Sequence, residues 1–196
     1  MSYGTPHDKP LLRGPVPLSH LIIRQFVTTG AHVVDATCGN GHDTLLLAER
    51  AGPTGRVWAF DIQPGAIEAT AARLDAAGYR ERVDLVQAGH ESMTEHCPGP
   101  VRAVVFNLGY LPGSDRTVIT RPDSTLTGVD QSLSILEPGG ITAITLYPGH
   151  AGGGQESNLL EARLAQLSPA GFHVWRMAQT NAPGSAPYLI LIQKAS

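Results

Sequence analysis

Val33-Val34-Asp35-Ala36-Thr37-Cys38-Gly39-Asn40-Gly41-His42-Asp43-Thr44 is the stretch on which the reading of this chain turns. Val33 to Ala36 form a short run that suits a buried strand, and Gly39 and Gly41 make a turn. The residues from His42 onward open a helix, because Leu45, Leu46, Leu47 and Ala48 follow without a breaker. A strand–turn–helix junction leaves free backbone N–H groups at the helix N-terminus. With no side chains at Gly39 and Gly41, a nucleotide-type ligand can come close to the backbone there.

Outward from this turn, strand and helix patterns alternate. An apolar face at helical spacing over Leu18, Leu21, Ile22 and Phe26 predicts a helix before the first strand. Pro6, Pro10, Pro15 and Pro17 make residues 1–15 a loose arm in this reading, and residues 16–196 the folded domain. Arg56 to Asp61 is a second strand, and Pro64 suits the first turn of the helix carrying Ile67, Ala71 and Leu74. Val83 to Gln87 and Val101 to Phe106 read as further strands. Leu126, Val129, Leu133 and Leu136 give a helical stripe that Glu137-Pro138-Gly139-Gly140 ends. Ile141 to Tyr147 is a strand, and Asn158 to Leu167 is helical by spacing. Phe172 to Ala178 and Tyr188 to Gln193 are strands with no helix between them, so this last pair is expected to be antiparallel.

The pattern predicts an α/β, Rossmann-like fold: a seven-stranded, mostly parallel sheet with a C-terminal antiparallel hairpin and helices on both faces. Ligands of such sheets bind outside the C-terminal strand ends, at the switch in strand order. The loops after Ala36, Asp61, Gln87, Asn107 and Tyr147 all lie at that edge in this reading.

Composition narrows the setting. With 196 residues, 42% hydrophobic content and a net charge of -3, the chain suits one globular domain without a global basic signature. No apolar run reaches the length of a membrane span, and the first residues lack a signal-peptide pattern, so a cytoplasmic location without membrane association is expected. Cys38 and Cys97 form neither a disulfide framework nor a zinc spacing, and no histidine pair has metal-ligand spacing, so no metal is expected. Cys38 reads as a small turn residue. No pattern sets the oligomeric state, and a homodimer is kept open.

Several residues carry candidate chemistry. Asp61 closes the second strand, where a carboxylate accepts both hydroxyls of a ribose; Ile62 and Gln63 flank it. Gly89 and His90 lie on the adenine side, although His90 also suits an ordinary turn. Asp35 either orients the loop or meets the ammonium group of a cofactor. Asp43 suits a helix's first turn, and His42 faces either ligand or solvent. Thr37, Asn40 and Thr44 complete the turn.

The glycine pattern Gly39-x-Gly41-x-x-Thr44 lacks the third small residue of a dinucleotide fingerprint. Together with Asp61 and the closing hairpin, it resembles the class I S-adenosylmethionine-dependent methyltransferases. Asn107-Leu108-Gly109-Tyr110 stands where amino-methyltransferases carry Asn/Asp-Pro-Pro-Tyr/Phe, with Leu-Gly in place of Pro-Pro. The resemblance implies that Asn107 and a main-chain carbonyl position an amine while Tyr110 packs on the substrate. Positioning of this kind lowers a barrier by about 7–11 kcal/mol. Leu108 would lie against the cofactor, and Pro112, Gly113, Arg116, Tyr147 and His150 would face the substrate. Asp115, Tyr147 and His150 are candidates for assisting loss of the amine proton, and each also suits an ordinary loop. Arg116 and Arg121 suit substrate phosphate or loop salt bridges equally. On the motif alone, an oxygen or carbon acceptor stays open.

Asp35–Thr44, Phe60–Gln63, Phe106–Asp115 and Tyr147–His150 look like one compact family, the YtqB/MnmM-type methyltransferases, also labelled rRNA methylases. The resemblance runs from about Pro17 to the C-terminus. It implies methylation of 5-aminomethyl-2-thiouridine at the wobble position, with the anticodon region of tRNA as partner. An rRNA, a protein or a small amine is the alternative substrate, and a nucleotide-binding regulatory domain without turnover is the alternative class.

Overall fold

The computed structural model describes residues 12–108, 122–149 and 152–195. Residues 1–11 of the expected arm, and the site candidates Tyr110, Pro112, Gly113, Asp115, Arg116, Arg121 and His150, lie outside the described residues.

Helix α1 (Pro15–Phe26) leads into β1 (His32–Asp35), α2 (His42–Ala51), β2 (Arg56–Phe60), α3 (Pro64–Ala77) and β3 (Val83–Val86). Then come a short α4 (Met93–His96), β4 (Val101–Asn107), α5 (Pro122–Ile135), β5 (Leu136–Leu146), α6 (Gly153–Leu164), β6 (Phe172–Met177) and β7 (Tyr188–Lys194). The strands form one seven-stranded sheet in the order β3-β2-β1-β4-β5-β7-β6. β1 pairs in parallel with β2 and β4, β2 with β3, and β4 with β5. β7 pairs antiparallel with both β5 and β6, as expected for strands without a crossover helix. The chain first winds outward from β1 to β3, then returns to place β4 on β1's other side. That reversal opens a cleft at the C-terminal ends of β1 and β4.

Alternation along the strands divides the core into two layers. Val33, Val57, Ala59, Ala103 and Val105 face Ile23 and Val27 at the α1 end, Leu46 and Leu47 of α2, and Leu74 of α3. Val34, Phe60, Val104 and Phe106 face Met93 of α4, Val129 and Leu133 of α5, and Leu160 and Leu164 of α6. Phe60 and Phe106 are fully buried, and each contributes roughly 1.5–3 kcal/mol by leaving water. The sheet and both helical layers therefore match the fold expected from sequence.

Beyond shifts of a residue or so at strand ends, elements differ from the sequence reading chiefly in four places. α1 begins at Pro15, not at Leu18, because prolines in a first helical turn lose no intrahelical hydrogen bond. The helix α4 was not expected; four residues carry too little periodicity to announce themselves. β5 begins at Leu136, opposite Val101, and its next pair is Ile141 with Ala103. Residues 137–140 therefore bulge out of the ladder, and Arg102 Nη1 donates to Glu137 Oε1 at 3.2 Å beside them. Finally, α6 starts at Gly153 instead of Asn158. Thr125 Oγ1 donates to the buried Glu156 Oε1 at 2.6 Å, anchoring a first turn that its glycines favour poorly.

Candidate active site

Asp35 is the hub of the turn. Its side chain has no solvent exposure, and both oxygens are occupied. Oδ1 accepts from the Thr37 N–H at 3.1 Å, and Oδ2 accepts from Thr44 Oγ1 at 2.6 Å. Of the two roles read from sequence, this geometry is that of the loop-orienting one. Burial, and then the nearby Asp43 charge, push its carboxyl up from 3.8 to about 7.

The turn itself is a close approach between α2 and α3. Gly41 has φ +76°, and a Cβ there would lie 2.9 Å from the Cα of Thr70. Thr70 Oγ1 donates to the Gly39 carbonyl at 3.0 Å, and Arg73 Nε to the Asn40 carbonyl at 2.7 Å. Arg73 also lies 3.2 Å from His42 Nε2, through its Nη2. Thr70 and Arg73 were missed in the sequence; nothing about a threonine and an arginine in a helix thirty-odd residues away marks them, as their separations of 31 and 33 show. Cys38 is buried, and desolvation with the Asp35 charge raises its thiol far above the ordinary range, so it packs as a thiol.

Asp61 follows β2 directly. Its Oδ2 accepts from the Gly39 N–H at 3.1 Å and its Oδ1 from the Gln63 N–H at 3.0 Å. Each oxygen keeps a further lone pair for a ligand hydroxyl. Ile62 beside it is 56% exposed, so a ligand bound at Asp61 would meet an apolar side chain there. Gly89 precedes a turn at His90–Ser92, where His90 is buried with its ring edge on Phe106 at 5.5 Å. Its Cδ2 lies 2.5 Å from where a Cβ at Gly128 would sit, so the ring is packed beneath α5. Burial lowers its pKa, and Nε2 has no partner among the described residues.

At the end of β4 the turn meets the proposed chemical centre. The Asn107 N–H donates to Thr37 Oγ1 at 2.7 Å, so Asp35, Thr37 and Asn107 form one chain of hydrogen bonds. Leu108 is fully buried, and its N–H donates to the Thr145 carbonyl at 2.9 Å. Tyr147 follows β5; burial first, then the Asp43 charge, raise its phenol above its ordinary range, and the Asn107 side chain opposes them. Asp43 also receives His20 of α1, at 2.6 Å from Nε2. The fold thus brings Asp35, Thr37, Gly39, Asp43, Asp61, Asn107 and Tyr147 to one sheet edge.

The residues fit S-adenosylmethionine: a glycine turn a side chain would block, a carboxylate with spare acceptor capacity, and an exposed apolar flank. Among the described residues no cluster of His, Cys, Asp or Glu could hold a metal, and no helix is long and apolar enough to cross a membrane.

Strand order, turn and carboxylate define a class I S-adenosylmethionine-dependent methyltransferase. Within that class, the chain belongs to the family described as "Putative rRNA methylase", whose model matches residues 57–193. It is 38% identical over 187 residues to an Arabidopsis thaliana protein named tRNA (mnm(5)s(2)U34)-methyltransferase, chloroplastic, covering 90% of this chain and 68% of the relative. A crystal structure described as a putative rRNA methylase from Clostridium thermocellum superposes with a TM-score of 0.91 at 38% identity, covering 94% of this chain and 99% of the other. A methyltransferase structure from Streptococcus mutans in complex with SAH gives a TM-score of 0.84 at 33% identity, with 94% and 99% covered.

Proposed function

We propose that this methyltransferase acts on the aminomethyl nitrogen of wobble 5-aminomethyl-(2-thio)uridine in tRNA, giving 5-methylaminomethyl-(2-thio)uridine. The observation that carries the reading is Asn107 at the exit of β4, its N–H donating to Thr37 Oγ1 of the glycine turn at 2.7 Å. A neutral amine donates hydrogen bonds, and Asn107 offers a preoriented acceptor. The name of the Arabidopsis thaliana relative supports the same substrate.

When bound, S-adenosylmethionine supplies an electrophilic methyl group. In this reading Asp61 takes the ribose hydroxyls, Ile62, Gln63 and Gly89 line the adenine side, and the Gly39–Thr44 turn takes the amino-acid end. Asn107 holds the amine, and the family resemblance assigns catalytic roles to Tyr110 and Asp115 and substrate contacts to Pro112, Gly113, Arg116 and His150. Residues 16–196 form the methyltransferase domain, acting on the anticodon region in the cytoplasm.

The test incubates the protein and labelled S-adenosylmethionine with tRNA from a strain lacking the mark, and identifies the nucleoside by mass spectrometry. Asn107→Ala is expected to keep SAH binding and lose methyl transfer; equal loss of binding would assign Asn107 to the cofactor. The family description favours rRNA as the second reading. Methylation of ribosomal subunits but not of hypomodified tRNA would establish that reading instead.

A further inference from the structure

The parallel ladder between β1 and β4 stops short of Asn107. Its last pairing is Asp35 with Val105, and the Ala36 N–H still donates to the Val105 carbonyl at 2.8 Å. β4 runs on through Phe106 to Asn107, but the chain after Ala36 has turned toward β2. The Cys38 N–H donates to the Phe60 carbonyl at 2.8 Å, and the Gly39 N–H to Asp61 Oδ2 at 3.1 Å.

In a continuing parallel pair, each N–H of β4 that faces β1 would meet a backbone carbonyl. Asn107 meets a side chain instead: its N–H donates to Thr37 Oγ1 at 2.7 Å. Thr37 is itself held, because its own N–H donates to Asp35 Oδ1 at 3.1 Å. Asp35 has no solvent exposure, and its Oδ2 accepts from Thr44 Oγ1 in the first turn of α2 at 2.6 Å. On the opposite side Asn107 pairs with Thr145 of β5, and the next N–H, that of Leu108, donates to the Thr145 carbonyl at 2.9 Å. The backbone at Asn107 is therefore fixed between a carbonyl of β5 and a hydroxyl of the glycine turn.

A threonine suits this place. Its oxygen sits one bond beyond Cβ and offers lone pairs to an N–H, and its branching limits rotation about χ1. Valine has the same shape without the acceptor, and serine has the acceptor without the branch.

We infer that Thr37 is the positioning residue of the acceptor site: its hydroxyl stands in for a ladder carbonyl and fixes the backbone of Asn107 to the glycine turn. The inference rests on the amine reading of Asn107. Thr37 acts through Asn107, and the contact between Gly39 and Asp61 does not involve its hydroxyl. Its loss therefore falls on methyl transfer and leaves cofactor binding in place. Misplacing a reacting group by about 1 Å costs on the order of a hundredfold in rate, so a small shift of Asn107 is enough.

The experiment compares wild-type, Thr37→Val and Thr37→Ser protein on hypomodified tRNA, with S-adenosylmethionine and tRNA varied separately, and measures SAH binding by calorimetry. For Thr37→Val the expected result is a kcat lower by at least roughly tenfold, with the KM for tRNA and the SAH Kd within about threefold of wild type. Thr37→Ser recovers most of that rate, even where its thermal melt falls as far as that of Thr37→Val. A role in packing alone would follow the melts and not the hydroxyl. Should Thr37→Val fold poorly, Thr37→Ala takes its place, assayed below its melt. An unchanged kcat in the variant without the hydroxyl, or an equal loss in Thr37→Ser, overturns the positioning role. A loss explained by weaker SAH binding also overturns it and assigns Thr37 to the cofactor. In all these cases wild-type activity on the amine leaves the amine reading standing; wild-type protein that does not methylate the amine overturns both.

Discussion

Asp35→Asn replaces a carboxyl group with no solvent exposure by an amide of nearly the same shape. The folded protein holds this carboxyl at about 7 against an ordinary value of 3.8, mainly through burial. A raised carboxyl pKa means that the native state binds more protons than the unfolded chain between those two values. Stability from the protonated form is then complete below pH 3.8 and is lost as pH rises toward 7, after which the loss levels off. At 1.36 kcal/mol per unit, this interval corresponds to a loss on the order of 4 kcal/mol. The asparagine side chain cannot ionise. Its oxygen still accepts from the Thr37 N–H, and its amide donates to Thr44 Oγ1, much as the protonated acid does. Urea denaturation of both proteins from pH 5 to 8 is the assay. The variant is expected to gain steadily on the wild type up to pH 7, reaching a lead on the order of 4 kcal/mol, or about 10 °C in Tm for a chain of this size. Stability curves that run parallel across this range would falsify the claim that ionised Asp35 is held at a cost.

Gly41→Ala must adopt φ +76° and place its Cβ 2.9 Å from the Thr70 Cα, so a loss of about 2–5 kcal/mol is expected. Gly78→Ala shares the positive φ of +73° but meets nothing within 4 Å, so thermal melts should show it losing only the conformational part, about 1–2 kcal/mol; equal losses would remove the packing argument. Asp61→Asn should weaken SAH binding by on the order of tenfold or more, since charge-assisted hydrogen bonds are worth about 1.5–3 kcal/mol each. An unchanged Kd by calorimetry would take the ribose away from Asp61.

The order of elements was legible from local pattern. Buried strands, helical stripes and the missing helix before Tyr188 depend on neighbours a few residues apart, so the parallel sheet and its closing hairpin follow from them. The Asp35–Thr44 turn and Asp61 were legible for the same reason, each lying at a strand end. Boundaries were read less well where tertiary pairing overrides propensity. Leu136 joins the sheet opposite Val101 although proline and glycines follow, and Gly153 begins a helix because Thr125 holds Glu156.

By itself, then, the sequence determined that a glycine turn, the Asp61 carboxylate and Asn107 all stand at the C-terminal ends of strands. Which of them meet was decided only by the tertiary structure. Thr37 reaches Asn107 across 70 residues, Thr70 supports Gly39 across 31, and His20 reaches Asp43 across 23. Hydrogen bonds of this kind depend on strand order and helix packing, and no local periodicity encodes a partner that distant. Sequence pattern supplied the groups; placing β4 against β1 brought the asparagine to the glycine turn, and packing α1 on α2 brought a histidine to Asp43.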